Sequence, residues 1–121
     1  MTKTVRTISA MATVADAIRE MRDARVSSVV VERRDDSDEF GLLVVADIAR
    51  EVIAKNRAAE RVNVYEIMSK PVLTVPADMQ VKNAVRLLVR FGLSRALVVD
   101  DSRRPVGIVT MRDMVLSYAQ E

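Results

Sequence analysis

One template is written twice in this 121-residue chain, and that duplication constrains its fold more tightly than any other feature of the sequence. Val5-x-Thr7 returns as Val72-x-Thr74. Val14, Ala17 and Ile18 return as Val81, Ala84 and Val85, and Val26-Ser27 as Leu93-Ser94, each pair offset by 67 residues. Beyond the acidic stretch at 35–39 the offset becomes 66, so Gly41 matches Gly107 and Asp47 matches Asp113. The first hairpin is therefore one residue longer than the second. A period of this length marks a repeat architecture, in which each copy is one supersecondary unit too small to bury a full core alone. Each copy reads as strand, helix, strand, strand, helix. The fold class expected is α+β (α/β in the looser sense): two pseudo-symmetric βαββα repeats, 1–61 and 62–121, packed through their sheets. Such a pair would carry two equivalent clefts at its junction, a usual place for small ligands.

The elements follow from local signals. Met1 to Ile8 alternates polar and apolar through Thr4, Val5, Arg6, Thr7 and Ile8, and a short strand fits. Thr13 is a helix N-cap with Asp16 three residues on, and Val14, Ala17, Ile18 and Met21 follow at helical spacing. Val26 to Glu32 is β-branched and continuous, the pattern of a buried strand. Asp35-Asp36-Ser37-Asp38-Glu39 lacks the ligand spacing and the glycine of a calcium loop and reads as a solvated hairpin turn. Phe40 to Val45 returns as a strand, and Asp47 to about Glu60 reads as a helix with Ile48, Val52 and Ile53 inward. Asn63 with Glu66 marks the start of one short helical turn, which Pro71 ends. In the second copy, Val72 to Val75 is a strand and Val81 to Phe91 a helix that stops at Gly92. Ala96 to Val99 and Pro105 to Val109 are strands joined by a turn at Asp100 to Arg104, and Thr110 to Tyr118 is the last helix.

Half the residues are hydrophobic and only four are aromatic, so the core must be aliphatic. Cysteine and histidine are both absent, which removes disulfides, thiolate nucleophiles, the usual zinc sites and every histidine-based acid–base scheme. No paired acid–base constellation stands in their place, and the chain does not read as an enzyme. Nineteen Lys and Arg against seventeen Asp and Glu leave a formal charge of +2. Nucleic-acid binding is thus the weaker reading, since neither a strong positive excess nor a set of exposed aromatics supports it. Met1 to Ala10 has no long apolar run and no segment approaches the ~20 apolar residues of a membrane span, so a cytoplasmic protein without membrane contact is expected.

The stretch Gly107-Ile108-Val109-Thr110-Met111-Arg112-Asp113 runs a strand straight into a helix. Thr110 is placed as N-cap and Asp113 at the third helical position. Such a corner offers a hydroxyl, a carboxylate and free N–H groups, with Arg112 as a cation beside them. A carboxylate suits a ribose diol, and N–H groups with an arginine suit a phosphate. Read alone, the same residues are a capping box that touches nothing else. The matching stretch Gly41 to Asp47 keeps the aspartate but has Val44 in place of Thr110 and Ala46 in place of Arg112.

Glu66-Ile67-Met68-Ser69, Val72-x-Thr74-Val75, Val81-x-x-Ala84, Leu97-Val98-Val99-Asp100 and Gly107 to Asp113, in that order, resemble a tandem pair of cystathionine β-synthase (CBS) domains, a Bateman module, over the whole chain. The resemblance implies a regulatory module that binds an adenosyl ligand, AMP, ADP, ATP or S-adenosylmethionine, and requires no cofactor. It implies that Asp113 holds the ribose hydroxyls and Thr110 faces ribose or phosphate. Arg112, Ser94 and Arg95 would lie by the phosphates, and Val26, Ser27 and Ser28 of the partner repeat near the adenine. Without a hydroxyl at Val44, Asp47 is expected to be a weak second site or only a helix N-terminal charge. A homodimer formed through the helices of both repeats is expected, signalling to a separate regulated protein. The alternative is a purely structural interaction module with empty clefts.

Overall fold

Aliphatic side chains at strand and helix spacing collapse into two cores. The computed structural model describes residues 5–70 and 72–118. It divides into two compact units, one formed by Arg6–Val72 and the other by the residues from Leu73 onward. In the first, β1 (Thr7–Ile8), α1 (Val14–Ala24), β2 (Ser28–Val31), β3 (Gly41–Val44) and α2 (Val45–Ile48) follow in order. In the second, β4 (Thr74–Pro76), α3 (Val81–Phe91), β5 (Arg95–Val99), β6 (Pro105–Thr110) and α4 (Met111–Tyr118) repeat that order. Each sheet has three strands. The strand before the long helix pairs parallel with the strand after it, and a hairpin adds the third strand antiparallel. The registers correspond: Val31 faces Gly41 in the first sheet and Val98 faces Gly107 in the second.

Val29 and Val31 of β2 enter a core with Val14, Ala17 and Met21 of α1, Leu43, Ile48 and Val52. Val30, between them on the opposite face, is fully buried as well. A strand buried on both faces needs an unbroken β-branched run, and Ser28–Val31 supplies one. Val62, Val64 and Ile67 complete this core from the segment that follows α2. That segment docks by backbone bonds, Val14 N–H to Val62 O (2.8 Å), Val64 N–H to Ala12 O (2.8 Å) and Tyr65 N–H to Ala10 O (3.0 Å). It then runs beside β3, where Leu42 and Ser69 exchange two bonds of 2.9 Å. The second core gathers Val75, Ala84, Leu88, Ala96, Val98 and Met114.

Several elements differ from their sequence expectation. The helix expected from Asp47 to about Glu60 starts at Val45 and continues past Ile48 only as a π-helical turn, Ala49–Ile53. Ala54 N–H closes that turn on Ala49 O, and Arg57 N–H bonds Val52 O around Asn56, whose φ of 56° reverses the chain. Asparagine tolerates the left-handed region and ends a helix much as glycine does, a weaker written signal than Gly or Pro. Strand β2 starts at Ser28 rather than Val26, because Val26 N–H still bonds Met21 O at the end of α1. The acidic turn is not wholly solvated. Asp38 is nine-tenths buried at its side chain and pairs with Lys70 at 2.6 Å. Thr4 and Pro71 lie outside the described residues.

Candidate functional site

At the end of the second unit, β6 passes into α4 without a loop. Thr110 Oγ1 accepts the Asp113 N–H at 3.1 Å, and Met111 N–H bonds Ser94 O at 2.8 Å. Arg95 lies directly opposite Thr110 in the β5–β6 ladder. The fold therefore brings Ser94, Arg95, Thr110, Arg112 and Asp113 to one corner. The Arg112 guanidinium is 3.7 Å from the Asp113 carboxylate, but it is four-fifths exposed, and such a pair holds little in water.

Four helical turns in the described residues carry an acid at their third position, and the four acids do not behave alike. Asp16 accepts the Thr13 N–H at 3.1 Å, Asp47 the Val44 N–H at 3.2 Å and Glu66 the Asn63 N–H at 2.7 Å. Each of these three turns back to cap its own backbone. Asp113 does not. Among the described residues its carboxylate accepts no hydrogen bond from Thr110. It lies instead at the wall of a cavity of about 220 Å³, lined by Val75, Pro76, Ala77, Met79, Val81 and other apolar residues, with Ser117 as the other polar side chain. An apolar recess with an uncapped carboxylate at its wall suits a flat heterocycle bearing a diol.

Asp47, at the matching corner of the first unit, is buried and fully engaged. Beyond the Val44 N–H, its other oxygen holds Arg50 Nη2 at 2.8 Å. Arg50 Nε reaches Glu51 at 3.2 Å, and Glu51 holds Lys55 at 2.8 Å. The pairing with Asp47, then with Glu51, raises the Arg50 guanidinium above its usual range. Lys55, then Arg50, lowers the Glu51 carboxyl. Val26, Ser27 and Ser28 belong to this unit: Ser27 O accepts the Val45 N–H at 3.0 Å and Ser28 faces Val44. They stand where Ser94 and Arg95 stand in the other unit.

Sequence reasoning missed two parts of this picture. The cavity wall from Val75 to Val81 carries no chemistry-bearing side chain and read as strand and loop. Arg50 read as one of many surface charges, although its spacing of three from Asp47 on one helix face was a usable signal.

Two βαββα units, each ending in an acid-bearing strand-to-helix corner, define a tandem-repeat module with a ligand-sized recess. The CBS domain family model matches residues 1–54 and 64–119, and the chain belongs to that family, with one copy in each half. An uncharacterized protein of Methanopyrus kandleri is 35% identical over 103 residues, which cover 85% of this chain and 52% of that protein. The chain thus spans about half the length of this curated relative. The structure of a hexameric CBS-CP12 protein from bloom-forming cyanobacteria matches with a TM-score of 0.87 and 33% identity, covering 95% of this chain and 66% of that one. A CBS domain protein from Pyrobaculum aerophilum, complexed with AMP, shares the fold at a TM-score of 0.80 and 20% identity, over 100% of this chain and 95% of that one. Among the described residues no helix is long and apolar enough to cross a membrane, and no group of three or more acids comes together to hold a metal ion.

Proposed function

We propose that this chain is a regulatory module that binds an adenosyl ligand (AMP, ADP, ATP or S-adenosylmethionine) at the Thr110–Asp113 corner and reports its presence to a separate protein. The observation that carries this reading is the Asp113 carboxylate, left uncapped at the wall of an apolar recess. Its two oxygens accept the two ribose hydroxyls. The Thr110 oxygen already accepts the Asp113 N–H, which leaves its O–H to donate to ribose or phosphate. Arg112 and Arg95, with Ser94, supply positive charge and a donor for phosphate. Asp47 takes no ligand of its own. AMP in the Pyrobaculum aerophilum protein supports the ligand class at the level of a shared fold. No catalytic step is assigned to the chain, and self-association carries the signal onward.

Isothermal titration of the protein with AMP, ATP and S-adenosylmethionine tests this. Binding of at least one of them is expected. Asp113→Ala should weaken it tenfold or more, since hydrogen bonds to a charged group contribute about 1.5–3 kcal/mol each and about 1.4 kcal/mol is tenfold. No binding by the wild type, or equal binding by Asp113→Ala, defeats the reading.

A further inference from the structure

The two repeats keep one template and change its charge. Asp16, Glu20 and Asp23 of α1, spaced four and three apart, share one helix face. Their counterparts 67 residues on are Asn83, Leu87 and Arg90. Helix α3 carries Lys82, Arg86 and Arg90 at a spacing of four, all exposed, and no acid. Among the described residues none of these three cations pairs with a carboxylate. In α1, α2 and the π-helical turn, five acids against three arginines leave the helices of the first unit at −2. In α3 and α4, four cations against one acid leave those of the second at +3. The apolar relief differs as well. The first unit has a groove of about 330 Å³, lined by Ile18, Met21, Val26, Val45, Ile48 and Ile53, with Arg22 also in its wall. The second unit raises Val89 and Phe91 of α3 and Val115 and Leu116 of α4 into solvent.

We propose that copies of this chain associate through unlike repeats: the helices of the second unit in one copy dock on the helices of the first unit in another. Second unit on second unit would set +3 against +3 and protruding apolar side chains against one another. First unit on first unit would set −2 against −2 and groove against groove. Of the three pairings, only the unlike one opposes charges of different sign and offers a groove to the protruding side chains. Burial of Val89, Phe91, Val115 and Leu116 drives the association. The charges select which pairing forms, because like charges brought together cost more than exposed opposite ones gain. The pairing does not depend on what the recess at Asp113 binds.

Two charge-swapped variants, purified apart and then mixed, test this by light scattering across a micromolar concentration series. Lys82→Glu with Arg86→Glu takes the helices of the second unit from +3 to −1. Glu20→Lys with Asp23→Lys takes those of the first from −2 to +2. Lys82→Glu in a first turn and Asp23→Lys in a last turn also suit the helix dipole. Each variant alone sets like signs at the unlike contact, and its association should weaken roughly tenfold or more. The mixture restores opposite signs and should regain the wild-type strength to within about threefold. Contact between like repeats predicts another result, since taking +3 to −1 would relieve repulsion and tighten the first variant. Undiminished association of either variant alone, or a mixture no tighter than its components, therefore overturns the proposal. The wild type gives a second reading that needs no variant to fold. Its association should loosen several-fold as salt rises from about 50 to 500 mM, because screening weakens attraction between opposite charges. Association that tightens with salt, or a wild type that stays monomeric throughout, ends the proposal.

Discussion

At Arg25 the backbone sits at φ 55°, in the left-handed region that a side chain disfavours by roughly 1–2 kcal/mol. At the same position of the second repeat stands Gly92, at φ 65°. Both residues end a long helix by sending their N–H back to its last turn. The repeat thus supplies its own control. Arg25→Gly should raise stability by about 0.5–1 kcal/mol, the relief of strain less the extra freedom glycine gives the unfolded chain. Gly92→Ala should lower it by about 1 kcal/mol through backbone strain alone, because a Cβ there would meet nothing within 4 Å. Urea denaturation at constant slope checks both. Residues at this scale were legible where their role is local. Thr13, Asp16 and Gly92 read as caps from their neighbours, and they cap. Arg25 carries no written mark of its left-handed backbone, because arginine has no intrinsic preference for it.

Among the elements, the excursion between β2 and β3 differs most between the repeats. Its counterpart is a tight turn in which Asp100 bonds the Ser102 and Arg104 N–H groups. The longer first excursion reaches across to the connector instead. Asp38 accepts the Arg34 N–H at 2.9 Å and the Lys70 ammonium at 2.6 Å, and Lys70 follows the Ser69 that pairs with β3. Gly41 allows this approach: a Cβ there would stand 2.8 Å from Met68 Sδ and 3.3 Å from Ser69 O. The Lys70 bond, then the Arg34 N–H, holds the Asp38 carboxyl well below its usual range. A carboxyl lowered by folding stabilises the fold above its unfolded value of about 3.9, and that contribution is lost as the pH falls through the folded value. The wild type should therefore melt above Asp38→Asn at neutral pH, and the gap should close on acidification below about pH 4. A gap independent of pH would show that the ion pair does not hold this loop. The sequence predicted a turn here because acidic residues favour solvent. It could not show which of four acids meets a lysine over thirty residues away.

For the whole molecule, the apolar surface that the two units leave exposed matters most. Val89, Phe91 and Leu93 at the end of α3, and Val115 and Leu116 on α4, face solvent, as does Ile53 in the first unit. The continuity of such residues along helices motivates self-association, since monomers seldom expose large apolar patches. Light scattering at micromolar concentration should give a dimer. Val89→Asp with Leu116→Asp should dissociate it. A stable wild-type monomer at that concentration would count against signalling through assembly.

Taken alone, the sequence determined the duplication, the order of elements and the aliphatic core, because side-chain period and helix caps act between neighbours in the chain. It also brought the Thr110–Asp113 corner into view, since strand end and helix start are contiguous there. What only the tertiary structure decided is which of two matching aspartates is spent on the fold. Asp47 and Asp113 are the same residue at the same place in the template. They differ because Arg50 and the Val44 N–H hold the one at 2.8 and 3.2 Å, while the other has from its own helix only the exposed Arg112, at 3.7 Å. A carboxylate binds whichever donor the folded chain lays nearest, and that proximity is not written at the carboxylate itself.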